Sequence, residues 1–210
     1  MIKSLQVSMC QTNCYYFHKQ GETEAVCVDP GDHGEWIFER LQEDNLQLAG
    51  ILLTHGHFDH MMGAEALQKL SGAKIYAYEA EREVCEDPMK NLTALWGMPP
   101  YKLQVDEYLK ANTVFTMAGM EFKLLPTPGH TIGGCCYYLE KEEVLFCGDT
   151  VFQCSIGRTD LPTGSESALM RSIDAQIVNL PEDTILLPGH GDTSTVAFEK
   201  QNSPFFRALG

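Results

Sequence analysis

Short apolar runs separated by polar turns dominate the first quarter of the chain. SLQVS, NCYYF and AVCVDPG read as strands, with HKQGETE as the turn before the last, so the pattern predicts a meandering sheet. The period then changes. Trp36, Ile37, Leu41 and Leu46 recur near helical spacing and predict a helix over 35–43. The theme repeats with a helix over 61–70, a strand KIYAY and a polar helical region from 79 to about 96. GMPPYKLQVDEYL, with two consecutive prolines, reads as a loop. Strands return as TVFTMAGMEFKLLP and CCYYLEKEEVLFCGD, with AG and EKEE at the turns. A helix over 165–180 carries Leu169, Ile173, Ile177 and Leu180 on one face. TILLPGH and a helical piece around Ala197 follow. Strand-rich segments followed by helices thus occur twice, which predicts two similar halves packed sheet against sheet with helices outside, an α/β four-layer sandwich.

Four of the apolar runs end alike, in a turn and then a histidine or aspartate: ILLTHGHFDH, FKLLPTPGH, VLFCGD and ILLPGH. Buried strands whose following loops carry such residues bring them together at one sheet edge. Five of the seven histidines, His55, His57, His60, His130 and His190, fall in these loops, whereas His18 and His33 read as surface residues. Clustered neutral imidazoles gain little by packing together, and metal coordination gives them a reason to converge. In an extended loop His55 and His57 point the same way and share one ion, while Asp59 and His60 reach a neighbouring position as the chain turns into a helix. Gly56 is expected to let the backbone bend around the ion. Two sites follow, His55 with His57 and His130, and Asp59 with His60 and His190. Asp149 is suited to bridge them, because one carboxylate can hold two ions at the spacing that two-metal hydrolysis requires. A histidine and carboxylate set, unlike the cysteine-rich shells of structural zinc, leaves positions open for water.

Composition narrows the context. The 210 residues are 44% hydrophobic, enough for one sizeable domain over 1–210. A net charge of −14 repels phosphate backbones, and two divalent ions lower the deficit only to about −10. Nucleic acid is therefore not an expected partner. No stretch suits a signal peptide or a membrane span, which predicts a cytoplasmic protein without membrane association. The eight cysteines are scattered, two of them adjacent, and are expected to be reduced and mostly buried. Cys10 and Cys14 are the one pair with the spacing of a zinc half-site, but no second pair matches them.

THGHFDH, followed in order by PTPGHT, CGDT and PGHG, resembles the metallo-β-lactamase superfamily, and more closely its glyoxalase II-like branch. The resemblance runs over nearly the whole chain. It implies an αβ/βα sandwich of the metallo-β-lactamase type, without the C-terminal helical domain of full-length glyoxalase II. It also implies a site for two divalent ions, zinc being the first expectation and iron or manganese the alternatives. By position His55, His57 and His130 look like the first-site ligands, Asp59, His60 and His190 the second-site ligands, and Asp149 the bridge. The implied activity is hydrolysis by a metal-bound hydroxide, with Asp59 orienting the nucleophile, of a small-molecule thioester such as S-lactoylglutathione. Arg158, nine residues after the bridging aspartate, matches the basic residue that contacts glutathione, or it pairs with Asp160 to hold its loop.

Several departures weaken the glutathione part. Asp160 and Asp192 stand where the branch has an aromatic residue and a tyrosine, and added carboxylates disfavour an anionic ligand. Gly134 stands where relatives often have histidine or serine. The resemblance also admits a mononuclear iron persulfide dioxygenase on His55, His130 and Asp149, or a lactonase. A non-enzymatic metal-binding module requires a site closed to small molecules. Trp96, Met98, Pro99 and Tyr101 form either a lid over the site or an anchor to the core. An apolar helix face suits the sheet or a partner equally, so the sequence leaves the oligomeric state open.

Overall fold

The computed structural model describes residues 1–209. The opening meander forms as the alternation predicts: β1 (Ile2–Val7), β2 (Thr12–His18) and β3 (Glu24–Val28) pair antiparallel in sequence. Helix α1 (Gly34–Glu43) then crosses over, so β4 (Gln47–Leu52) runs parallel to β3. Val28 pairs with Leu52, and the residues after both strands emerge level at one edge. The predicted helix over 61–70 is two pieces, α2 (Phe58–Met61) and α3 (Ala64–Ser71), separated where the Gly63 N–H donates to the Pro30 carbonyl at 2.8 Å. Strand β5 (Lys74–Tyr78) leads through a 3-10 turn (Glu79–Glu81) into α4 (Arg82–Glu86).

Two expectations fail after that point. The helical region stops at Glu86 instead of Trp96, because residues 87–101 fold around the buried side chains of Asn91 and Thr93. Asn91 Nδ2 donates to the Tyr101 carbonyl at 2.8 Å, and Asn91 Oδ1 accepts from the Thr93 hydroxyl and N–H at 2.8 and 3.1 Å. Side chains that satisfy nearby backbone in this way compete with helix. The segment read wholly as loop also contains a short strand, β6 (Glu107–Leu109), which completes the first sheet alongside β5.

The second half repeats the scheme. β7 (Val114–Met117), β8 (Met120–Pro126), β9 (Cys135–Leu139) and β10 (Val144–Gly148) are antiparallel neighbours. A small hairpin, β11 (Val151–Phe152) with β12 (Ser155–Ile156), precedes α5 (Glu166–Gln176), whose N-cap Ser165 accepts from the Ala168 N–H. β13 (Ile185–Pro188) then runs parallel to β10 and antiparallel to β14 (Ser194–Thr195). Helices α6 (Val196–Asn202) and α7 (Pro204–Arg207) follow.

The two six-stranded sheets are ordered β1 to β6, and β14-β13-β10-β9-β8-β7. Three apolar layers hold them. Ile37 and Leu41 of α1 and Ala64 and Leu67 of α3 cover the outer face of the first sheet. Leu169, Ile173, Ile177 and Phe206 cover that of the second. Between the sheets Phe17, Phe122, Tyr137 and Phe146 interleave, with Phe17 and Phe146 stacked at 4.7 Å. The four-layer α/β sandwich expected from the sequence is therefore the fold. Among the described residues no helix is long and apolar enough to cross a membrane.

Phe146 also meets Tyr15 edge-on at 5.5 Å, so it joins both sheets. Phe146→Ala should cost about 3–5 kcal/mol. Urea unfolding measures it, and a loss under about 1 kcal/mol would show that the inter-sheet layer does not depend on this ring.

Candidate metal centre

The site is built at the edge where β3, β4, β8, β10 and β13 all end. β4 delivers Thr54 to His60, β8 leads to His130, β10 to Asp149 and β13 to His190. Parallel pairing of Gly148 with Pro188 sets Asp149 and His190 side by side. All seven residues picked out as ligands converge there. His55, His57 and His130 each offer a ligand atom, all within 4.8 Å of one another, and so do Asp59, His60 and His190. Asp149 lies between the groups: Oδ2 is 3.4 Å from His130 Nε2 and 3.6 Å from His190 Nε2, and Oδ1 is 3.3 Å from His60 Nε2.

His130 Nε2 lies 2.9 Å from His57 Nδ1, but several of the other ligand atoms have no partner. His55 Nε2, His57 Nε2 and Asp149 Oδ1 are buried and have no hydrogen-bond partner. His60 Nε2 points at His190 Nε2 from 3.3 Å, and His190 Nε2 lies 3.3 Å from Asp59 Oδ2. Ligands about 2.1 Å from a tetrahedral ion stand about 3.4 Å apart, so these spacings suit shared ions. Orphaned buried polar atoms are costly unless something not made of protein completes them. The residues present thus fit a pair of metal ions.

Electrostatics favour the ligand forms. Burial, with His60 and His57 next, holds His55 well below the usual imidazole range, and burial with His130 brings His57 to about 3. Both are neutral and free to donate a lone pair. Burial works to raise Asp59 and Asp149, but neighbouring histidines, His60 foremost, outweigh it, bringing Asp59 to about 2 and Asp149 well below its ordinary value. Burial opposes charge on His60 as well. Asp149, Asp59 and Asp29 nevertheless raise it well above the usual range, so His60, unlike His55 and His57, favours its protonated form until an ion displaces the proton from Nε2.

Surrounding groups aim these ligands. His130 Nδ1 is 2.7 Å from the Arg158 carbonyl, which fixes the tautomer with Nε2 facing inward. The Thr12 hydroxyl donates to Asp59 Oδ2 at 2.9 Å. Asn13 Nδ2 donates to the carbonyls of Pro188 and Gly191, at 3.1 and 2.9 Å, and so clamps the His190 loop. Within that loop a Cβ on Gly189 would sit 2.3 Å from Asp149 Oδ1 and 2.5 Å from a ring carbon of His60, so only glycine admits the close approach. Gly56 is required for a reason other than the one expected. A Cβ there would press on the Cys85 N–H and thiol at 2.9 Å, so it is the packing of α4, not curvature around an ion, that excludes a side chain.

Two buried carboxylates were not among the expected site residues. Asp29 accepts from the Thr54 N–H at 2.8 Å and hydroxyl at 2.6 Å, and its Oδ2 lies 2.9 Å from His60 Nδ1. That contact leaves His60 Nε2 for the ion. The signal for Asp29 was present: VCVDPG ends an apolar run in an aspartate just as VLFCGD does. Glu81 accepts from the N–H groups of Gly56 and Gly133, both at 2.8 Å, and from the Thr131 hydroxyl at 3.0 Å. It ties the His55–His57 loop to the His130 loop. Burial pushes its carboxyl up to about 7, against the pull of those three donors.

A recess of about 400 Å³ opens over the metal centre. Arg158 reaches it but forms a bidentate pair with Asp160, at 2.7 and 2.8 Å, so the loop-holding role expected as one alternative is present. The central loop divides its work: Trp96 lines the recess, against Phe58 at 5.4 Å between centroids, while Tyr101 packs on the core. Leu92, beside Trp96, is buried with φ of 75°, a left-handed conformation that costs a bulky residue about 1–3 kcal/mol. Cys10 and Cys14 do not form a half-site. Cys14 packs on Cys27 at 3.5 Å between sulfurs, while Cys10 lines the recess. All eight cysteines are free.

A four-layer sandwich with histidine and aspartate clusters at the strand ends defines a class of metal-dependent hydrolases. The chain belongs to the metallo-beta-lactamase superfamily, whose family model matches residues 7–190. It is 31% identical over 213 residues to the hydroxyacylglutathione hydrolase GloC of Haemophilus influenzae, covering 99% of this chain and 98% of that one. Among solved structures it is similar to the BLEG-1 B3 metallo-beta-lactamase, with 38% identity, a TM-score of 0.93 and 98% and 99% of the two chains covered. It is also similar to TTHA1623 in a di-iron-bound form, with 30% identity, a TM-score of 0.84 and 97% and 99% covered.

Asp29→Asn should weaken metal binding about 10–100-fold, because one amide cannot accept from Thr54 and His60 together. Competition with a chelator measures this, and an unchanged affinity would remove Asp29 from the support of His60.

Proposed function

We propose that this protein is a dinuclear metal hydrolase whose substrate is a thioester of the S-lactoylglutathione type. The observation that carries the reading is Asp149, whose carboxylate faces both clusters, Oδ2 toward His130 and His190 and Oδ1 toward His60, with no hydrogen-bond partner for Oδ1. His55, His57 and His130 would hold one ion, Asp59, His60 and His190 the other, and Asp149 both. Zinc, iron or manganese suits this donor set, and the di-iron relative supports iron beside zinc. When bound, such ions supply a water ionised near neutral pH and a Lewis acid for a carbonyl oxygen.

The chain's own residues do the rest. Asp59, fixed by the Thr12 hydroxyl, orients the attacking water. His130, turned inward by the Arg158 carbonyl, keeps its lone pair on the first cluster. Apart from the candidate ligands and Cys10, no acid lines the recess among the described residues to protonate a poor leaving group, which suits a thiolate better than an amine. The GloC relative supports a glutathione thioester, and the presence of the whole second cluster favours this chemistry over a mononuclear iron dioxygenase. A β-lactam is the second reading, favoured by the 38% identity to a B3 metallo-beta-lactamase.

The test is turnover of S-D-lactoylglutathione by protein of known metal content, beside a thioester lacking the peptide and a β-lactam. Thioester turnover supports the reading, and turnover of the β-lactam alone replaces it with the second. Asp149→Asn should abolish activity with loss of metal, and a fully metallated active variant would refute the bridge. Arg158→Ala should raise KM for the glutathione thioester, whereas an unchanged KM assigns the side chain to its pair with Asp160.

A further inference from the structure

Resting on that thioesterase reading, we propose that the site selects its substrate by an apolar acyl group, and that Leu92 and Trp96 are the residues that set this choice. The recess beside the metal centre is walled by Phe58, Leu92, Trp96, Phe152, Ile156 and Leu161. Arg158 is the one lysine or arginine that lines it among the described residues, and Asp160 already engages its guanidinium with both oxygens. An apolar chain finds a surface ready for it.

Burial orders the recess. Phe58 and Leu92 are 3% and 4% exposed, close to the His57–Asp59 stretch, while Trp96 and Arg158 stand exposed at the mouth. The acyl end, the terminal part of a thioester, therefore occupies the deep wall, and the bulkier thiol carrier extends toward solvent. In the reaction the water oxygen bonds to the acyl carbon and the carbon–sulfur bond breaks. The products are the carboxylate, the free thiol and one proton.

The wall is held rigid. Leu92 is kept left-handed at φ 75°, its carbonyl accepting from the Trp96 N–H at 2.9 Å. The Asn91 carbonyl beside it accepts from the Phe58 N–H at 3.0 Å, which ties the wall to the metal-ligand loop itself. A bulky side chain held in this conformation, facing the site, points to a use for that side chain beyond folding. Each methylene removed from water favours binding about fourfold, so a fixed apolar wall discriminates chain length steeply.

The experiment compares kcat/KM for acetyl, butanoyl and hexanoyl thioesters of N-acetylcysteamine, an uncharged thiol, with S-D-lactoylglutathione. The hexanoyl ester should exceed the acetyl ester by about tenfold or more. Leu92→Gly relieves the left-handed backbone and removes the wall, so the hexanoyl-to-acetyl ratio should collapse toward one. Trp96→Ala, at a half-exposed position, should lower the ratio too and covers the case in which the first variant does not fold. Independently of turnover, hexanoate but not acetate should shift the emission of Trp96 in a Trp36→Phe background. Hydrolysis of all thioesters without chain-length preference, or a ratio unchanged in both variants, overturns this proposal and leaves the hydrolase intact. No thioester turnover together with the hexanoate response overturns the thioesterase reading and leaves the apolar wall.

Discussion

The structure is organised around one electrostatic constraint. Four histidines with little water access, a fifth at the rim and two enclosed carboxylates must come within a few ångströms of each other, with Asp149 facing both groups. Burying so many polar atoms is unfavourable unless each is completed. No single loop can provide this geometry. It requires strands from both sheets to end at the same edge, which the parallel pairs β3–β4 and β10–β13 achieve. The duplicated sheet–helix scheme is the mechanical answer to that requirement, since each half contributes part of the ligand set.

The two halves meet through side chains and a few backbone bonds, such as the Cys135 N–H to the Thr54 carbonyl at 2.9 Å, and their loops need further ties that packing alone does not supply. Glu81 is one such tie, joining the Gly56 N–H in the first half to Gly133 and Thr131 in the second. Asn13 is another, reaching from β2 to the carbonyls on either side of His190. The phenol of Tyr15 donates to the Pro188 carbonyl at 2.8 Å and acts along the same seam. Low dielectric strengthens each of these bonds and raises the penalty for losing one. These ties hold the ligand loops of the two halves together through protein contacts.

Sequence reveals some of this and conceals the rest for a physical reason. The four ligand loops are legible because strand, turn and ligand are contiguous, so local pattern contains the whole signal. Asp29 carries the same mark, an apolar run that ends in an aspartate, but Glu81 does not, because its partners lie between 25 and 52 residues away and a lone acidic residue gives no sign of which donors it will meet. Glu81 looks like one more charge in a polar helix. The helix itself was overextended to Trp96 for a related reason: the turns of 87–101 depend on Asn91 and Thr93, whose bonds to the Tyr101 carbonyl and to each other override the local helical preference. β6 escaped notice because an edge strand of three residues has no alternation to read. Gly56 was legible as necessary but not for the right cause, since the clash that excludes a side chain comes from Cys85, 29 positions on.

A division of labour follows from where these residues sit. The groups suited to the chemistry lie at strand ends, fixed by the sheets, so the geometry of attack is insulated from changes in the surrounding loops. The recess is walled instead largely by the 87–101 segment and by the loop running from Phe152 to Leu161. Loops on a rigid scaffold are free to vary in shape without disturbing it. Here that freedom is partly given up: a buried leucine is held left-handed, and an asparagine is committed on both sides to backbone. A loop that only closed off the core would relax such strain by placing glycine at that position. Leucine there ties the conformation of the wall to the shape of the recess, in the same turn whose Asn91 carbonyl fixes the loop to the metal-ligand segment.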